Sequence, residues 1–373
     1  GDLSGWSVSL SSDGTVVAIG AFSNDGNGID SGHTRIYSWD GSSWSQHGED
    51  INGVMASDRS GNSVSLSSDG TIVAIGSFLN DGNGIDSGHT RIYSWGGSSW
   101  SQLGGDINGE AVGDFSGSSV SLSSDGAIVA IGARRNDGNG TWSGHTRIYS
   151  WDGSSWSQLG GDLNGEGAYD QSGYSVSLSS DGTVVAIGAN GNVGNGVNSG
   201  HTRIYSWDGT SWSQLGGDID GEAEHDQSGN SVSLSSDGTM VAIGARYNGD
   251  YSGHTRIYSW DGSIWSQLGE DIDGEAADNA SGYSVSLSSD GTVVAIGASG
   301  DSTNGTWSGH TRIYAWDGSD WNQIGSDIDG EAASDGSGCS VSLSSDGTVV
   351  AIGAFMNDGN GDYSGHTRIY SIN

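Results

Sequence analysis

The sequence predicts an all-β fold, a seven-bladed β-propeller built of four-stranded antiparallel blades. The first observation is a tripeptide, His-Thr-Arg, which begins at seven places: His33, His89, His145, His201, His254, His310 and His366. The second is an Asp-Gly pair that recurs in step with it, at Asp13, Asp69, Asp125, Asp181, Asp237, Asp290 and Asp346. The third is the pattern inside each unit, where short apolar or alternating runs are separated by Gly-rich turns without helical periodicity.

The third unit shows the order of the predicted elements. Residues 119–123 alternate polar and apolar side chains, and Asp125-Gly126 predicts a tight hairpin turn after them. The apolar run 128–132 suits a strand that is covered on both faces. A loop at 136–140 leads to a strand at 146–151, and a second Asp-Gly turn at Asp152 precedes the last strand, 156–159.

Seven such units account for the chain as a single domain. One blade alone would leave both faces in water, whereas a closed ring of blades buries them against each other. A β-solenoid is the alternative, but its repeats are usually shorter and contain fewer hairpins. The predicted blades span approximately residues 1–53, 54–109, 110–165, 166–221, 222–274, 275–330 and 331–373.

Composition excludes several classes of function. The formal net charge is −35, from 46 acidic and 11 basic residues, and such a charge repels a nucleic-acid backbone. No run approaches the roughly 18 apolar residues of a membrane-spanning helix, so membrane insertion is not expected. One cysteine cannot form an internal disulfide. The 68 glycines would favour disorder, but 15 Trp and 13 Tyr indicate a packed fold.

The order of these motifs resembles the FG-GAP repeat, which builds the seven-bladed head of integrin α chains. Ser116-Gly117-Ser118-Ser119-Val120 stands where that family has Phe-Gly, and Gly132-Ala133-Arg134 stands where it has Gly-Ala-Pro. A weaker similarity to WD-type repeats rests on Ser-Ser-Asp-Gly-Thr and Tyr-Ser-Trp-Asp. The resemblance implies an extracellular or cell-surface adhesion module. It also implies that the loops between strands two and three, and between blades, share one face, called the upper face below.

The seventh unit is expected to lack its fourth strand within this sequence. An open blade edge exposes unpaired N–H and C=O groups, which favour pairing with another strand. That strand comes either from the same polypeptide or from a neighbouring chain by strand donation, which repeated head to tail makes a filament. The predicted assembly edge comprises Arg368, Ile369, Tyr370, Ser371 and Ile372.

The expected function is that of a non-catalytic extracellular structural or adhesion module, a building block of a surface or filamentous assembly. Its expected partners are other protein chains, including copies of itself. Catalysis needs unlike groups in unlike environments, whereas the polar residues here are copied from blade to blade. We therefore predict no catalytic residues and no required cofactor.

A glycan-binding propeller is the alternative, and a polysaccharide-active enzyme is the third. Aromatic residues that vary between blades are predicted near the upper face, where rings stack on sugars. Packing between blades is the competing interpretation of the same residues. The candidate glycan-binding residues are Trp6, Trp142, Tyr174, Tyr251, Tyr283, Trp307 and Tyr363.

Three further patterns lead to site predictions. Asn-x-Ser/Thr sequons at Asn139, Asn279 and Asn304 predict glycosylation in upper-face loops. Two loops space oxygen donors in a loosely calcium-like way and give candidate metal ligands: Asp25, Asn27, Asp30, Asp81, Asn83 and Asp86. The His-Thr-Arg segments lie around a ring, so we interpret them as structural, with Arg35 and its equivalents bridging to acidic groups of an adjacent blade.

Overall fold

A computed structural model describes residues 1–372 and confirms the seven-bladed propeller. Each of the first six sheets contains four antiparallel strands in sequence order, plus a fifth strand that pairs with the third. Within the described residues the seventh sheet has three strands, as the sequence predicts. Among these residues, no helix has the length and apolar character needed to cross a bilayer.

The strands fall into five equivalent sets. The innermost strands are Ser7–Leu10, Ser63–Leu66, Ser116–Leu122, Ser175–Leu178, Ser231–Leu234, Ser281–Leu287 and Ser337–Leu343. The second strands are Val16–Ala21, Ile72–Ser77, Ile128–Ala133, Val184–Ala189, Met240–Ala245, Val293–Ala298 and Val349–Ala354. The third strands are His33–Trp39, His89–Trp95, His145–Trp151, His201–Trp207, His254–Trp260, His310–Trp316 and His366–Ser371.

Two outer sets complete the first six blades. The fourth strands are Trp44–Gln46, Trp100–Gln102, Trp156–Gln158, Trp212–Gln214, Trp265–Gln267 and Trp321–Gln323. The fifth strands are Ile51–Asn52, Ile107–Asn108, Leu163–Asn164, Ile219–Asp220, Ile272–Asp273 and Ile328–Asp329.

The fifth strand and one helical turn were not predicted from the sequence. The fifth strand of the third blade pairs Leu163 and Asn164 with Thr146 and His145. It therefore lies beside the first two residues of the third strand. Two residues are too few to show any periodicity. The short helical segment, Asn248–Tyr251, which is irregular at Gly249 and Asp250, occupies a loop of the fifth blade. The fifth blade is three residues shorter than the others, since His201 and His254 are 53 residues apart where the other spacings are 56.

The hydrophobic core lies between blades. The second strand of each blade is buried on both faces, so Val129 and Ala130 of the third blade have no exposed surface. Each core cluster joins two blades, as where Ile36 and Ile51 of the first pack with Val73 of the second. Burying one such side chain contributes about 1.5–3 kcal/mol. A blade is therefore stabilised by its two neighbours.

Two belts of hydrogen bonds around the axis close the ring. In the first belt each donor is a backbone N–H and each acceptor a carbonyl one blade on, and every bond is 2.8 Å long. It runs through Ser12, Ser68, Ser124, Ser180, Ser236, Ser289 and Ser345, and back to Ser12. In the second, a serine hydroxyl of each inner strand donates to a glycine carbonyl of the next blade, including Ser340 to Gly5 at 2.8 Å. The first and seventh blades are thus joined at the axis like the other pairs.

Candidate functional site

A groove separates the outer parts of the first and seventh blades. This seam groove is lined by Val17, Ile19, Tyr37 and Trp44 of the first blade and by Ile369 of the seventh, among others. Its volume is about 400 Å³. At the other blade boundaries the corresponding space holds the fourth and fifth strands of the preceding blade, whose Ile51, for example, is 6% exposed. The seam groove therefore has the shape and apolar lining of a strand site.

The tryptophan that starts each fourth strand identifies one donor in the groove. Trp156 Nε1 donates to the Leu103 carbonyl of the preceding blade at 2.8 Å, and Trp100, Trp212, Trp265 and Trp321 make the same bond at 2.7–2.9 Å. Trp44 lines the groove, and within residues 1–372 no acceptor bonds its Nε1.

The arginine of the His-Thr-Arg segment identifies a second donor. Arg147 donates through Nη2 to the Asn108 carbonyl of the preceding blade at 2.7 Å, and Arg91, Arg203, Arg256, Arg312 and Arg368 make equivalent bonds. Arg35 is different, because it forms a two-bond pair with Asp50 of its own blade at 2.9 Å. Its side chain is 40% exposed, against 8% for Arg147.

We predict that Trp156→Phe lowers the free energy of unfolding by about 1 kcal/mol more than Trp44→Phe. Both changes remove a similar part of an indole, but only the first removes a hydrogen bond to the neighbouring blade. Chemical denaturation of the two variants measures the difference. Equal losses would show that the indole N–H contributes nothing to the contact between blades.

The predicted assembly edge borders the same groove. The strand His366–Ser371 pairs with Val349–Ala354 on one side, and the described residues provide no strand for its other side. The side chain of His366 is 24% exposed, whereas His145 and His310 are 1% exposed. Arg368 to Ile372 therefore lie at a partly open sheet edge, where the sequence placed them.

The remaining His-Thr-Arg segments form polar networks between blades. Arg147 Nη1 lies 3.3 Å from Glu110 Oε1, in the loop that leads from the preceding blade, and His145 Nδ1 lies 3.9 Å from Glu110 Oε2. Glu110, His145 and Asp162 come close enough together to suggest a cation site, but the arginine already neutralises the glutamate. Five arginines make the predicted bridge to a glutamate that follows the preceding blade: Arg147, Arg203, Arg256, Arg312 and Arg368. Arg35 pairs within its own blade, and Arg91 bonds the Asn52 carbonyl without a carboxylate partner among the described residues.

The candidate aromatic residues divide into two groups at the upper face. Trp6, Tyr174 and Tyr283 line a cavity of about 180 Å³ at the end of the axis, called the axial cavity. Trp142, Tyr251, Trp307 and Tyr363 lie further out and are 39–57% exposed. The rings of Trp6 and Phe22 are in edge contact, which supports a packing role for Trp6 as well.

Side chains of the two candidate calcium loops make hydrogen bonds to the backbone. Asn27 donates its amide N–H groups to the carbonyls of Gly53 and Val54, and Asp25 accepts the backbone N–H of Asp30. The second loop repeats these contacts through Asn83 and Asp81. The asparagine nitrogens and the aspartate oxygens therefore hold the loops in shape by hydrogen bonds to the backbone.

The sequons differ in accessibility. Asn139 and Asn304 are exposed residues of upper-face loops, although their amides donate to Gly165 and Gly330 carbonyls. Asn279 is only 4% exposed, and its amide nitrogen is buried. This burial argues against the predicted glycosylation at Asn279, because the folded chain does not present that nitrogen.

Sequence reasoning missed two arginines of the axial cavity, Arg134 and Arg246. A signal for them existed. Seven of the eleven basic residues belong to His-Thr-Arg segments, and the other four are Arg59, Arg134, Arg135 and Arg246. Arginines that do not repeat in a repeating sequence indicate a position with its own role.

Comparisons with known proteins give the fold. The structure is similar to hydrazine synthase of Kuenenia stuttgartiensis, with a TM-score of 0.64 and 12% identity over 98% of this chain and 95% of that one. The sequence matches no family profile and no curated protein. At this identity the likeness shows a shared seven-bladed propeller alone, and the FG-GAP resemblance stays a prediction.

Proposed function

We propose that this protein is a non-catalytic structural module of extracellular assemblies, whose seam groove binds an extended segment donated by another polypeptide chain. The observation that carries the proposal is the groove itself. Its walls repeat the surfaces that hold the fourth and fifth strands at the other blade boundaries. The extracellular setting follows the FG-GAP resemblance, in which such propellers serve adhesion.

The other blade boundaries specify the chemistry of the donated segment. It needs one backbone carbonyl for Trp44 Nε1 and a second one for Arg35, since the equivalent residues Trp156 and Arg147 bond carbonyls of the preceding blade. Between them it needs an aliphatic side chain equivalent to Leu163, which is 7% exposed in its own boundary. A glutamate equivalent to Glu166 would then pair with the arginine, as Glu166 pairs with Arg203 at 3.6 Å.

Residues 156–166 of the third blade meet all four requirements. Their sequence is Trp-Ser-Gln-Leu-Gly-Gly-Asp-Leu-Asn-Gly-Glu. An extended peptide that completes a sheet gains main-chain hydrogen bonds along its edge, and alternate side chains fill apolar pockets. A segment of this type on a neighbouring chain would link the two molecules. If each molecule both donates and accepts, the contact does not close and a filament grows.

A synthetic peptide with the sequence of residues 156–166 tests the groove directly. We expect it to bind the 373-residue protein and to raise its thermal unfolding temperature, because a ligand of the folded state stabilises that state. The matched control is the same peptide with its second leucine replaced by aspartate, the change Leu163→Asp in the numbering of the chain. It should bind at least tenfold more weakly, since it places a charge in an apolar groove.

Two protein variants locate the binding. Arg35→Ala removes a hydrogen-bond donor of the groove and should lower the affinity for the peptide. Arg59→Ala, at the upper face, should leave that affinity unchanged. Equal affinity for both peptides, or no binding, would overturn the groove as a strand site. Light scattering on the complete natural protein tests which chain supplies the strand in the seam groove. A monomer that no longer binds the peptide would mean that its own chain supplies the strand.

Glycan binding is a second candidate, supported by the exposure of Trp142, Tyr251, Trp307 and Tyr363 at the upper face. Exposed rings offer flat apolar surfaces for sugar rings. These residues occupy equivalent loop positions in four different blades, so they would suit a branched or repeating glycan rather than one small molecule.

A further inference from the structure

The two ends of the propeller axis differ in chemistry. One end is lined by a leucine and a serine from every blade, in sevenfold repetition. The other end, the axial cavity, is lined by residues that differ from blade to blade: Trp6, Asn62, Ser118, Arg134, Tyr174, Asn230, Arg246, Tyr283 and Cys339. A ring of equal blades thus ends in one asymmetric pocket of unlike groups, the arrangement that selective binding requires.

The axial cavity contains two arginines that make no ion pair within residues 1–372. Six of the seven His-Thr-Arg arginines lie within 4.0 Å of a carboxylate. Arg134 and Arg246 do not, in a chain with 46 acidic residues. Arg134 lies 5.2 Å from the ring centre of Tyr174, and Arg246 lies 5.3 Å from that of Tyr283. Both guanidinium groups therefore stack on the aromatic wall.

The charge of this pair is only partly compensated. Nε of Arg134 is buried and has no hydrogen-bond partner among the described residues. Burial lowers the pKa of Arg134, and although Tyr174 opposes this shift, the neighbouring charges of Arg135 and Arg246 add to it. Arg246 donates to the neutral amide oxygen of Gln227 at 3.1 Å. Placing positive charge in a pocket without a counter-ion costs free energy, and a bound anion would remove that cost.

One more group distinguishes between anions. Asn230 donates an N–H of its side-chain amide to the Tyr283 carbonyl, with the nitrogen 2.9 Å from the oxygen, which leaves its Oδ1 buried without a partner among the described residues. An acceptor of this kind suits a ligand hydroxyl and opposes a fully ionised oxyanion such as sulfate. The walls add the aromatic faces of Trp6, Tyr174 and Tyr283, which suit an apolar ring face.

We propose that the axial cavity binds the carboxylate of an acidic sugar residue, a uronic or sialic acid. The carboxylate pairs with Arg134 and Arg246, a hydroxyl donates to Asn230 Oδ1, and the sugar ring packs on the aromatic wall. The cavity volume of about 180 Å³ limits the inserted part to one sugar residue. This site does not use the seam groove, so either proposal can fail without the other.

Titration calorimetry with D-glucuronate and N-acetylneuraminate tests the site, with D-glucose and sulfate as controls. We expect at least one acid to bind, and glucose and sulfate to bind at least tenfold more weakly. Added salt should lower the affinity for the acid. Arg134→Gln and Arg246→Gln should each reduce affinity at least tenfold, because each removes one charge from the carboxylate site. Asn230→Asp should also reduce it, through repulsion between two carboxylates.

Control variants separate binding from folding and from the outer aromatic residues. Trp307→Ala should leave the affinity for the acid unchanged, and all variants should keep the parent's circular dichroism spectrum. Loss of affinity with Trp307→Ala but not with Arg246→Gln would move the site to the outer residues. That result, equal binding of glucose or sulfate, or no binding of either acid would overturn the proposal.

Discussion

Gly188→Ala is expected to lower the free energy of unfolding by about 3 kcal/mol or more. Gly188 is the last but one residue of the second strand of the fourth blade, Val184–Ala189, and an added Cβ would overlap the Gly229 carbonyl oxygen of the next blade and the Ser175 hydroxyl. Those two groups are hydrogen-bonded to each other at 2.8 Å. The methyl group must push the blades apart and break a partly buried hydrogen bond, so overpacking and desolvation both contribute.

Gly161→Ala is the matched control. A Cβ at Gly161 would meet no atom within 4 Å, and its backbone conformation is one that alanine adopts without strain. We expect a change within about 0.5 kcal/mol. Urea denaturation of both variants measures the difference. A small effect at Gly188 would mean that neighbouring blades can shift, and that the second belt of hydrogen bonds is not a rigid contact.

Acidification from pH 6.5 to pH 4 is expected to destabilise the protein through its buried histidines. Burial lowers the pKa of His89, His145 and His201 to about 4, and the adjacent arginine acts in the same direction. The unfolded chain takes up these protons near pH 6.5, whereas the folded chain does so only near pH 4. Stability is therefore full above pH 6.5 and is lost as the pH falls, by up to about 3 kcal/mol per histidine.

His145→Gln isolates this effect from the titration of the many carboxylates. It removes one of the three groups, so its stability should fall by about 3 kcal/mol less than that of the parent between pH 6.5 and pH 4. His225→Gln, at an exposed loop residue, is the control for replacing a histidine by glutamine. Denaturation curves at several pH values measure both. Identical pH profiles for His145→Gln and the parent would contradict the assignment.

The fold was predictable because the same sequence pattern recurs in all seven blades. The hairpin at Asp181 shows why the pattern is reliable. Its carboxylate accepts the N–H and hydroxyl of Thr183 and the hydroxyl of Ser179, so the turn is specified by side chains within two residues of the aspartate. The fifth strand was not predictable, since Leu163 and Asn164 are ordered by His145 and Thr146, which are distant in sequence.

The candidate sites were predictable only in part. The edge strand at Arg368–Ile372 follows from the register of the repeat, and the structure places it beside the seam groove. Calcium in the two loops stays a prediction, because spacing alone does not say whether Asn27 uses its oxygen or its nitrogen, and here the nitrogen makes two hydrogen bonds. The axial cavity brings together residues from all seven blades, a convergence visible only once the ring has formed.

The circle of seven serine amides places the permanent fastening of the toroid at its hub. Its members bond one another in a structure whose seventh sheet has three strands among the described residues. A strand from another chain could therefore bind and dissociate while the hydrogen bonds at the hub stay intact. Assembly by such a route would be reversible, and each disassembled unit would remain a folded, reusable part.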